Sequence, residues 1–318
     1  MSGDFNSPVF QDPEKAREWL EGELWPDGPI CPHCGVLNEA TSVKGRSARP
    51  GLYMCNACRS QFTVTVGTLM ERSKIPLNKW LFATYLLMAS KKGMSTHQFR
   101  RMLGISLKST WFLMHRIREA LREGKFPGPI GGEGKTVEID ETFIGGLEKN
   151  KHRKKRKHIG TGGAGKEAVF SLVERGGRVR SHHVPEFTSK TLRPIIEAQV
   201  QEETFVMTDE GATAKSLGRS FENHASVNHS IGEYVRGGIH TNTIENYFSI
   251  LKRGITGTYF HVSQEHLKRY IAQFDFRNNE RQGLGVDDMT RTIRAIKGMP
   301  GKRLTYRRTR HQEDLSAH

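Results

Sequence analysis

The sequence predicts a multidomain α/β protein, with a zinc ribbon and a helix-turn-helix ahead of a larger mixed α/β domain. Three observations predict this order. All four cysteines lie in two C-x-x-C pairs near the N-terminus, and a helical region with a glycine turn follows them. From residue 136 onward, strand-like alternation and helical periodicity replace each other several times. A length of 318 residues suits about two domains and agrees with this division.

Composition narrows the class of protein. Residues of the AVILMFWYC set make up 36%, and 33 glycines bring the apolar share into the range of packed proteins, which excludes a wholly disordered chain. The longest apolar run, Trp80 to Ala89, is shorter than the roughly 20 residues that cross a bilayer. Because the first residues lack the basic and apolar regions of an export signal, we expect a cytoplasmic protein.

Charge indicates the class of partner. The chain has 49 Lys and Arg residues against 34 Asp and Glu, which gives a net charge of +15. Such an excess is typical of proteins that bind a polyanion, most often nucleic acid. Binding to a membrane surface is the alternative, but the sequence has no basic amphipathic anchor helix, so we expect nucleic acid and no membrane.

The cysteine pattern predicts a structural metal site. The four cysteines are Cys31, Cys34, Cys55 and Cys58. Two C-x-x-C pairs at this separation are typical of a single Zn²⁺ bound by four thiolates, and such a shell leaves no open position for catalysis. A redox C-x-x-C or a pair of disulfides are the alternatives, and His33 is a further ligand candidate that four sulfurs make unnecessary. We assign residues 20–72 to a zinc ribbon.

The next region, residues 73–124, predicts a helix-turn-helix. Ser95 begins a capping-box pattern, Gly104 interrupts the short helix that follows, and a longer helix covers 107–122. A helical bundle that only connects domains is the alternative. If the outline binds DNA, its contacts come from the start of the second helix, at Lys108, Ser109 and Thr110. A Gly- and Pro-rich linker at 125–134 ends the region.

Acidic residues occur at distinctive places in the α/β domain. Residues 136–144 alternate as a strand and place Asp140 on a polar face with Glu138 and Thr142. Strands at 168–173 and 179–183, a helix at 189–199 and a buried strand at 204–209 follow, and Asp209 ends the last of them. Taken singly, Asp140 also suits an exposed strand position and Asp209 the start of a turn. The neighbouring acids Glu138, Glu141 and Glu210 are expected to be solvated or to support the others.

A helix at 240–254 carries the third acid. Glu245 and Lys252 lie two turns apart on its polar stripe, and Gly254 is expected to end it in a left-handed conformation. Asn242, one turn before Glu245, also suits an N-cap whose partner is Glu245. These residues alone therefore leave a structural interpretation open beside a functional one.

The sequence motifs around these acids resemble those of a known family. VEIDETFIGG, TDEG, HTNTIENYFSILKRGI and HLKRYIAQFDFRNNER follow one another in an order similar to bacterial insertion-sequence transposases of the DDE type, in the branch with an N-terminal zinc ribbon. The resemblance covers roughly residues 20 to 285. It implies a ribonuclease-H-like fold for the catalytic domain at 135–285, and two catalytic ions, Mg²⁺ or Mn²⁺, beside the structural Zn²⁺.

The family motif also implies roles for individual residues. Asp140 and Asp209 correspond to the first two acids, Glu245 to the third, and Lys252 to the downstream basic residue. Relatives carry either Asn or Glu at the third position, so Asn242 is the alternative ligand. The implied function is a homo-oligomer on double-stranded DNA that binds the terminal inverted repeats, cleaves the ends and joins the 3′-hydroxyl to target DNA.

Basic segments outside these motifs are candidates for contacts with DNA. Residues 149–158 hold seven Lys or Arg in ten positions, a density typical of a self-repelling loop that clamps phosphates, with a solubilising loop as the alternative. Its candidates are Arg153, Lys154, Lys155, Arg156 and Lys157, to which the helix adds Lys252 and Arg253. Residues 286–318 are expected to be a disordered basic tail.

Two other functions agree with the same sequence. One is a DNA-binding regulator with an inactive nuclease-like domain, and the other is a hydrolytic nuclease that cuts DNA without joining it. Loss of strand transfer on mutating Asp140 separates the enzyme from the regulator, and a 3′-end joining assay separates it from the nuclease.

Overall fold

The computed structural model divides the chain into two compact units, which are described separately. Unit 1 combines Met1–Arg122 with Gln282–His318, and unit 2 is Glu123–Arg281. The structure describes residues 5–45, 48–123, 128–146, 152–156, 163, 165–209, 216, 221–227 and 238–305. Within these residues, none of the helices joins the length to the apolar character that crossing a membrane requires.

The ribbon of unit 1 is a three-stranded antiparallel sheet in sequence order. Its strands are β1 (Ala40–Ser42), β2 (Tyr53–Cys55) and β3 (Gln61–Phe62). Short strands therefore lie around the second cysteine pair, within the region predicted to be a zinc ribbon. The ring of Trp25 packs edge-on against Tyr53 and Phe62, with centroid distances of 5.6 and 5.8 Å, and these rings form a small core around the buried cysteines.

Helices form the rest of unit 1. They begin with α1 (Pro8–Gln11), α2 (Pro13–Leu24), α3 (Leu77–Ala89), α4 (Thr96–Leu103) and α5 (Leu107–Ala120). The apolar run that is too short for a membrane is α3, where Trp80, Leu81 and Met88 are almost fully buried. Phe10 of α1 packs against Tyr85 of α3 at 5.2 Å between ring centroids. This helix is therefore the centre of a globular helical core.

The turn between α4 and α5 has the predicted helix-turn-helix outline. The Ser95 hydroxyl accepts a hydrogen bond from the Gln98 N–H, and the helix ends at Gly104, which has the left-handed φ of 61° that glycine tolerates. Ser106 then caps α5 by accepting from the Ser109 N–H at 3.2 Å. Because α5 ends at Ala120, it is slightly shorter than predicted.

The prediction of a disordered tail at 286–318 is wrong for the first part of this segment. A helix, α9 (Asp288–Lys297), occupies it and packs in unit 1, mainly on α3. Ala295, Ile296 and Met299 are fully buried. The backbone beyond the helix then pairs with the ribbon, since the Leu69 N–H donates to the Met299 carbonyl at 3.3 Å. The residues from 306 onward lie outside the described ones.

Unit 2 contains a five-stranded mixed sheet. Its strands are β4 (Thr136–Ile144), β5 (Glu167–Glu174), β6 (Val179–Val184), β7 (Phe205–Thr208) and β8 (His224–Ser226), in the order β6-β5-β4-β7-β8. The first three strands are antiparallel, whereas β4, β7 and β8 run parallel. The mixed α/β sheet is confirmed, and β4 has the predicted bounds, although the sequence analysis missed β8.

Helices cover both faces of this sheet. They are α6 (Ser189–Gln199), α7 (Asn242–Gly254) and α8 (Gln264–Asn279). Val137, Ile139 and Leu192 belong to the core under α6, while Ile144 and Ile244 belong to the core under α7 and α8. The polar face of β4 is therefore covered, and of the two roles expected for Glu138, solvated or supporting, its burial excludes the solvated one.

The end of α7 also differs from the prediction. Gly254 has the ordinary helical φ of −67°, and the chain continues into a π-helical turn at Ile255–Tyr259. The positive φ that the glycine was expected to supply occurs instead at Phe260, with φ 60° and ψ −46°, which is not the left-handed helical conformation. Helical winding therefore continues past Gly254 into the π-helical turn, and the C-cap of α7 is Ile255.

Candidate active site and metal centre

The four cysteines of the ribbon come together as the sequence predicts. Their sulfurs lie within 4.8 Å of one another, with Cys31 to Cys58 at 3.7 Å and Cys34 to Cys55 at 3.6 Å. Ligands at 2.3 Å around a tetrahedral Zn²⁺ lie about 3.8 Å apart, so this arrangement fits a structural zinc ion better than disulfides. Hydrogen bonds from Ser60 lower the pKa of Cys58 to about 6, whereas burial and the neighbouring cysteines raise the pKa of Cys34.

Both cysteine pairs end in the same backbone conformation. The residue after the first pair, Gly35, has φ 78°, and the residue after the second, Arg59, has φ 61°. In both pairs this residue donates its N–H to the carbonyl of the first cysteine, at 2.9 and 3.0 Å. The turn thus requires a left-handed residue, which glycine supplies easily and arginine only with strain.

The three predicted acids converge in unit 2. Ile139 of β4 pairs with Thr208 of the parallel strand β7, so Asp140 and Asp209 follow at neighbouring positions on adjacent strands. Asp140 shares its strand face with Ile144, which packs under α7, the helix that carries Glu245. Residues far apart in the sequence therefore reach one region of the sheet.

Electrostatic interactions report the same proximity. Burial raises the pKa of Asp140 to about 8, and the charges of Glu141, Asp209 and Glu245 contribute to the rise. Burial and Asp209 raise the pKa of Glu141 to about 7. The acids thus form a cluster in which the negative charges oppose one another, and a bound cation would relieve this repulsion.

The acids are nevertheless more widely spaced than the sulfurs. Among the residues that the structure describes, the cysteine cluster is the only group of three or more His, Cys, Asp or Glu residues whose ligand atoms all lie within 4.8 Å of one another. Ligands of one ion need that spacing, whereas two ions about 4 Å apart are spanned by carboxylates that lie further from each other. Asp140, Asp209 and Glu245 therefore do not form a preformed single-ion cluster of that spacing.

The beginning of α7 differs from the capping interpretation of Asn242. The N-cap is Thr241, and Asn242 is the first helical residue, exposed like Glu245. The Thr241 hydroxyl donates to Glu245 Oε1 at 3.1 Å. Asn242 and Glu245 therefore remain the two candidates for the third metal ligand, and neither is used to cap the helix with its side chain.

The predicted DNA contacts have different positions. Lys108 is exposed at the start of α5 and Ser109 is half-buried, but Thr110 is fully buried and donates to the Ser106 carbonyl at 2.9 Å, so its prediction as a DNA contact is wrong. Lys252 is exposed on α7, and Arg253 beside it contacts Ser249. Arg153, Lys154 and Arg156 are exposed, only the backbone of Lys155 is described, and Lys157 lies outside the described residues.

Sequence reasoning missed a charged network on the covered face of β4. Glu138 is 0% exposed and receives a hydrogen bond from Arg175 Nε at 2.7 Å. Arg175 also donates to the carbonyl of His240, just before α7. The alternation of β4 indicates that Glu138 and Asp140 share a face, but only the folded chain reveals which helix covers it.

A second missed network lies under α8. The Asp275 carboxylate accepts hydrogen bonds from the Ser181 N–H and hydroxyl, both at 2.8 Å, and from the Tyr247 hydroxyl. Burial raises the pKa of Asp275 to about 7, although these hydrogen bonds favour the ionised form. This network ties β6, α7 and α8 together in the interior of unit 2.

Known proteins resemble both units. Residues 131–279 match the family of ISXO2-like transposase domains, and residues 11–61 match the transposase zinc-ribbon domain. The chain is also 29% identical over 282 residues to an uncharacterised protein in the transposable element ISH50 of Halobacterium salinarum, covering 85% of this chain and 92% of that protein. The ribbon match begins within the helical start of the chain, in agreement with the hydrogen bond between Tyr53 and Glu21 of α2.

Proposed function

Because the chain belongs to the insertion-sequence transposases that carry an N-terminal zinc ribbon, we propose that it cleaves the ends of its own element and joins them to target DNA. It binds the terminal inverted repeats, cuts the DNA ends, and transfers the liberated 3′-hydroxyl to a target phosphodiester. The single observation that carries the proposal is the register of β4 and β7, which makes Asp140 and Asp209 neighbours beneath the helix of Glu245.

The residues present fit divalent cations. Asp140, Asp209 and Glu245 offer the carboxylate oxygens that hard cations such as Mg²⁺ or Mn²⁺ prefer, and their mutual repulsion favours a cation among them. Two such ions would make the attacking water or 3′-hydroxyl nucleophilic and would stabilise the leaving oxygen. Asn242 offers an amide oxygen as the alternative to Glu245.

Other residues of the chain bind and orient the DNA. Lys252, exposed two turns after Glu245, is proposed to contact a phosphate of the transposon end, with Arg253 beside it. The basic segment with Arg153, Lys154, Lys155, Arg156 and Lys157 is proposed to hold backbone phosphates, a salt-dependent role without sequence preference. Because no protein nucleophile is needed, all of these groups act by binding and positioning.

Unit 1 is proposed to recognise the ends. Lys108 and Ser109 lie at the start of the second helix of the helix-turn-helix, where base and phosphate contacts are made in such motifs. Paired ends require more than one active site, so we propose a homo-oligomer on DNA, in the cytoplasm and associated with the nucleoid.

The test is an assay with labelled terminal-repeat DNA and a target plasmid in Mg²⁺. The wild-type protein should produce both cleaved ends and joined products, whereas Asp140→Asn should lose both and retain repeat binding. Wild-type cleavage without joining would favour a hydrolytic nuclease. Repeat binding with neither product from the wild-type protein would favour a regulator and contradict the proposal.

A further inference from the structure

The N-terminus of α7 is capped from another element of the fold. The first turn of a helix leaves N–H groups without a partner inside the helix, and a side chain at the N-cap usually accepts one of them. The Thr241 side chain does not do so here, since its hydroxyl donates to Glu245. The Ile244 N–H instead donates to Glu138 Oε2 of β4 at 2.8 Å.

The other carboxylate oxygen of Glu138 accepts hydrogen bonds from the same helical turn and from the guanidinium group of Arg175. Glu138 Oε1 accepts from the Thr243 hydroxyl at 2.9 Å and from Arg175 Nε at 2.7 Å. Arg175 also donates to the carbonyls of Gly238 and His240, at 2.9 and 2.7 Å, and so holds the backbone that leads into α7. One buried carboxylate therefore fixes both the helix and its approach.

The burial of Glu138 makes its hydrogen-bond partners necessary for stability. A carboxylate with no exposed surface is costly to bury unless charges and hydrogen bonds compensate it, and removing one partner leaves the others unpaired. Both oxygens of Glu138 act only as acceptors, and three donors reach them, while His240 Nδ1 lies 3.5 Å from Oε1. A glutamine at this position would turn an N–H₂ group toward one of those donors.

We infer that Glu138 is a positioning residue that sets the distance between Asp140 of β4 and the candidate metal ligands of α7, Asn242 and Glu245. Asp140 lies two residues further along the same strand face, while Asn242 and Glu245 lie in the helical turn that Glu138 binds. The inference rests on the proposed function, because it assumes that these acids hold the catalytic ions. Misplacing such groups by about 1 Å can cost roughly 100-fold in rate.

Two substitutions test this role at different levels of disturbance. Glu138→Gln keeps the shape of the side chain, removes its charge and turns an N–H₂ group toward at least one of the three donors. Thr243→Val removes only the hydroxyl that donates to Glu138, and Thr243→Ser restores it. The control is Glu174→Gln, because Glu174 is also a sheet carboxylate with two donors, Gly131 N–H and Lys135 Nζ, but it does not contact α7.

The first readout is Mn²⁺ binding to zinc-loaded protein without DNA, followed by the electron paramagnetic resonance signal of free Mn²⁺. Glu138→Gln should need roughly 10- to 100-fold more Mn²⁺ for half-saturation, Thr243→Val should shift in the same direction by less, and Thr243→Ser and Glu174→Gln should bind as the wild type. The Mn²⁺ concentration for half-maximal end cleavage should shift in parallel.

A purely structural role would give a different pattern. Lower thermal stability of Glu138→Gln with unchanged Mn²⁺ binding would overturn the inference. If Glu138→Gln fails to fold, Mn²⁺ binding by Thr243→Val at the wild-type level would overturn it instead. The joining assay with Asp140→Asn separates the two levels: if that variant stays active the proposed function itself fails, whereas an inactive Asp140→Asn beside a wild-type-like Glu138→Gln contradicts only the positioning role.

Discussion

Unit 1 and unit 2 are assembled in different ways. Unit 1 combines the first part of the chain with the residues from Gln282 onward, and a four-cysteine cluster holds its small ribbon. Unit 2 is one continuous segment whose sheet is covered by helices on both faces. A two- or three-residue strand cannot bury enough apolar surface to be stable alone, whereas a five-stranded sheet can. The comparison shows that unit 1 depends on contacts between segments far apart in the sequence, which local sequence patterns do not predict.

Removing the metal should have the largest effect and should be confined to unit 1. Cys55→Ser deletes a buried ligand, and structural zinc sites contribute about 10–16 kcal/mol in small peptides. We expect loss of zinc, unfolding of the ribbon and loss of repeat binding, with hydrogen exchange in β4 and β5 unchanged. Zinc content and hydrogen-exchange mass spectrometry measure both outcomes.

The neighbouring histidine supplies the control for that prediction. His33 lies inside the first cysteine pair but is exposed, and the four sulfurs already supply four ligands within 4.8 Å of one another. His33→Ala should keep one zinc per chain and a folded ribbon. Zinc loss in this variant would mean that the histidine belongs to the metal shell.

Two buried isoleucines test the division into units. Ile296 of α9 is fully buried in unit 1, and Ile271 of α8 is 1% exposed in unit 2. Truncating either to alanine should cost about 2–5 kcal/mol. Ile296→Ala should speed hydrogen exchange in α3, and Ile271→Ala should speed it in β6. Faster exchange of β6 in Ile296→Ala, with α3 unchanged, would place α9 in the wrong unit.

Local signals in the sequence predicted much of the fold. Ser95, Gly104 and Ser106 act on their own neighbours in the chain, so the helix-turn-helix could be read from them. The alternation of β4 has the same local character and gave its bounds. In α9, Arg291 lies on the buried side of the helix, where it donates to the Met88 carbonyl at 2.9 Å, and this charged residue obscured the apolar stripe.

The candidate site was predictable in its residue types but not in its support. The family resemblance selects Asp140, Asp209 and Glu245, and the register of β4 and β7 is consistent with that selection. The role of Glu138 depends on the helix that covers β4, which no local pattern specifies. The burial of Thr110 likewise depends on which side of α5 faces the core.

Buried acids should make the stability of unit 2 depend on pH when divalent metal is absent. The pKa of Asp140 is raised to about 8, and those of Glu141 and Asp275 to about 7, mainly by burial. Folded unit 2 therefore holds protons that the unfolded chain releases above about pH 4. Their stabilisation is present below about pH 4 and is lost as pH rises to about 8.

Thermal unfolding between pH 4 and 8 measures this dependence, and the acids can be separated. Mg²⁺ should reduce the part that comes from Asp140 and Glu141, because a bound cation favours their ionised forms. Asp275→Asn should remove the contribution of the interior network to this pH dependence. The size of that effect should be the same with and without Mg²⁺. A pH-independent midpoint for unit 2 in the metal-free wild type would contradict the protonation of these acids.

The smallest expected effect concerns the helix-turn-helix of unit 1. Lys108 is exposed at the start of α5, so its ammonium group can reach a DNA phosphate, whereas Thr110 is buried and bonded to Ser106. Lys108→Ala should weaken binding to repeat and unrelated DNA alike and lower the slope of log K against log salt by about 1. Thr110→Ser keeps the buried hydroxyl and should bind as the wild type. Fluorescence anisotropy at several salt concentrations measures both, and an unchanged slope in Lys108→Ala would remove this lysine from the DNA-binding surface.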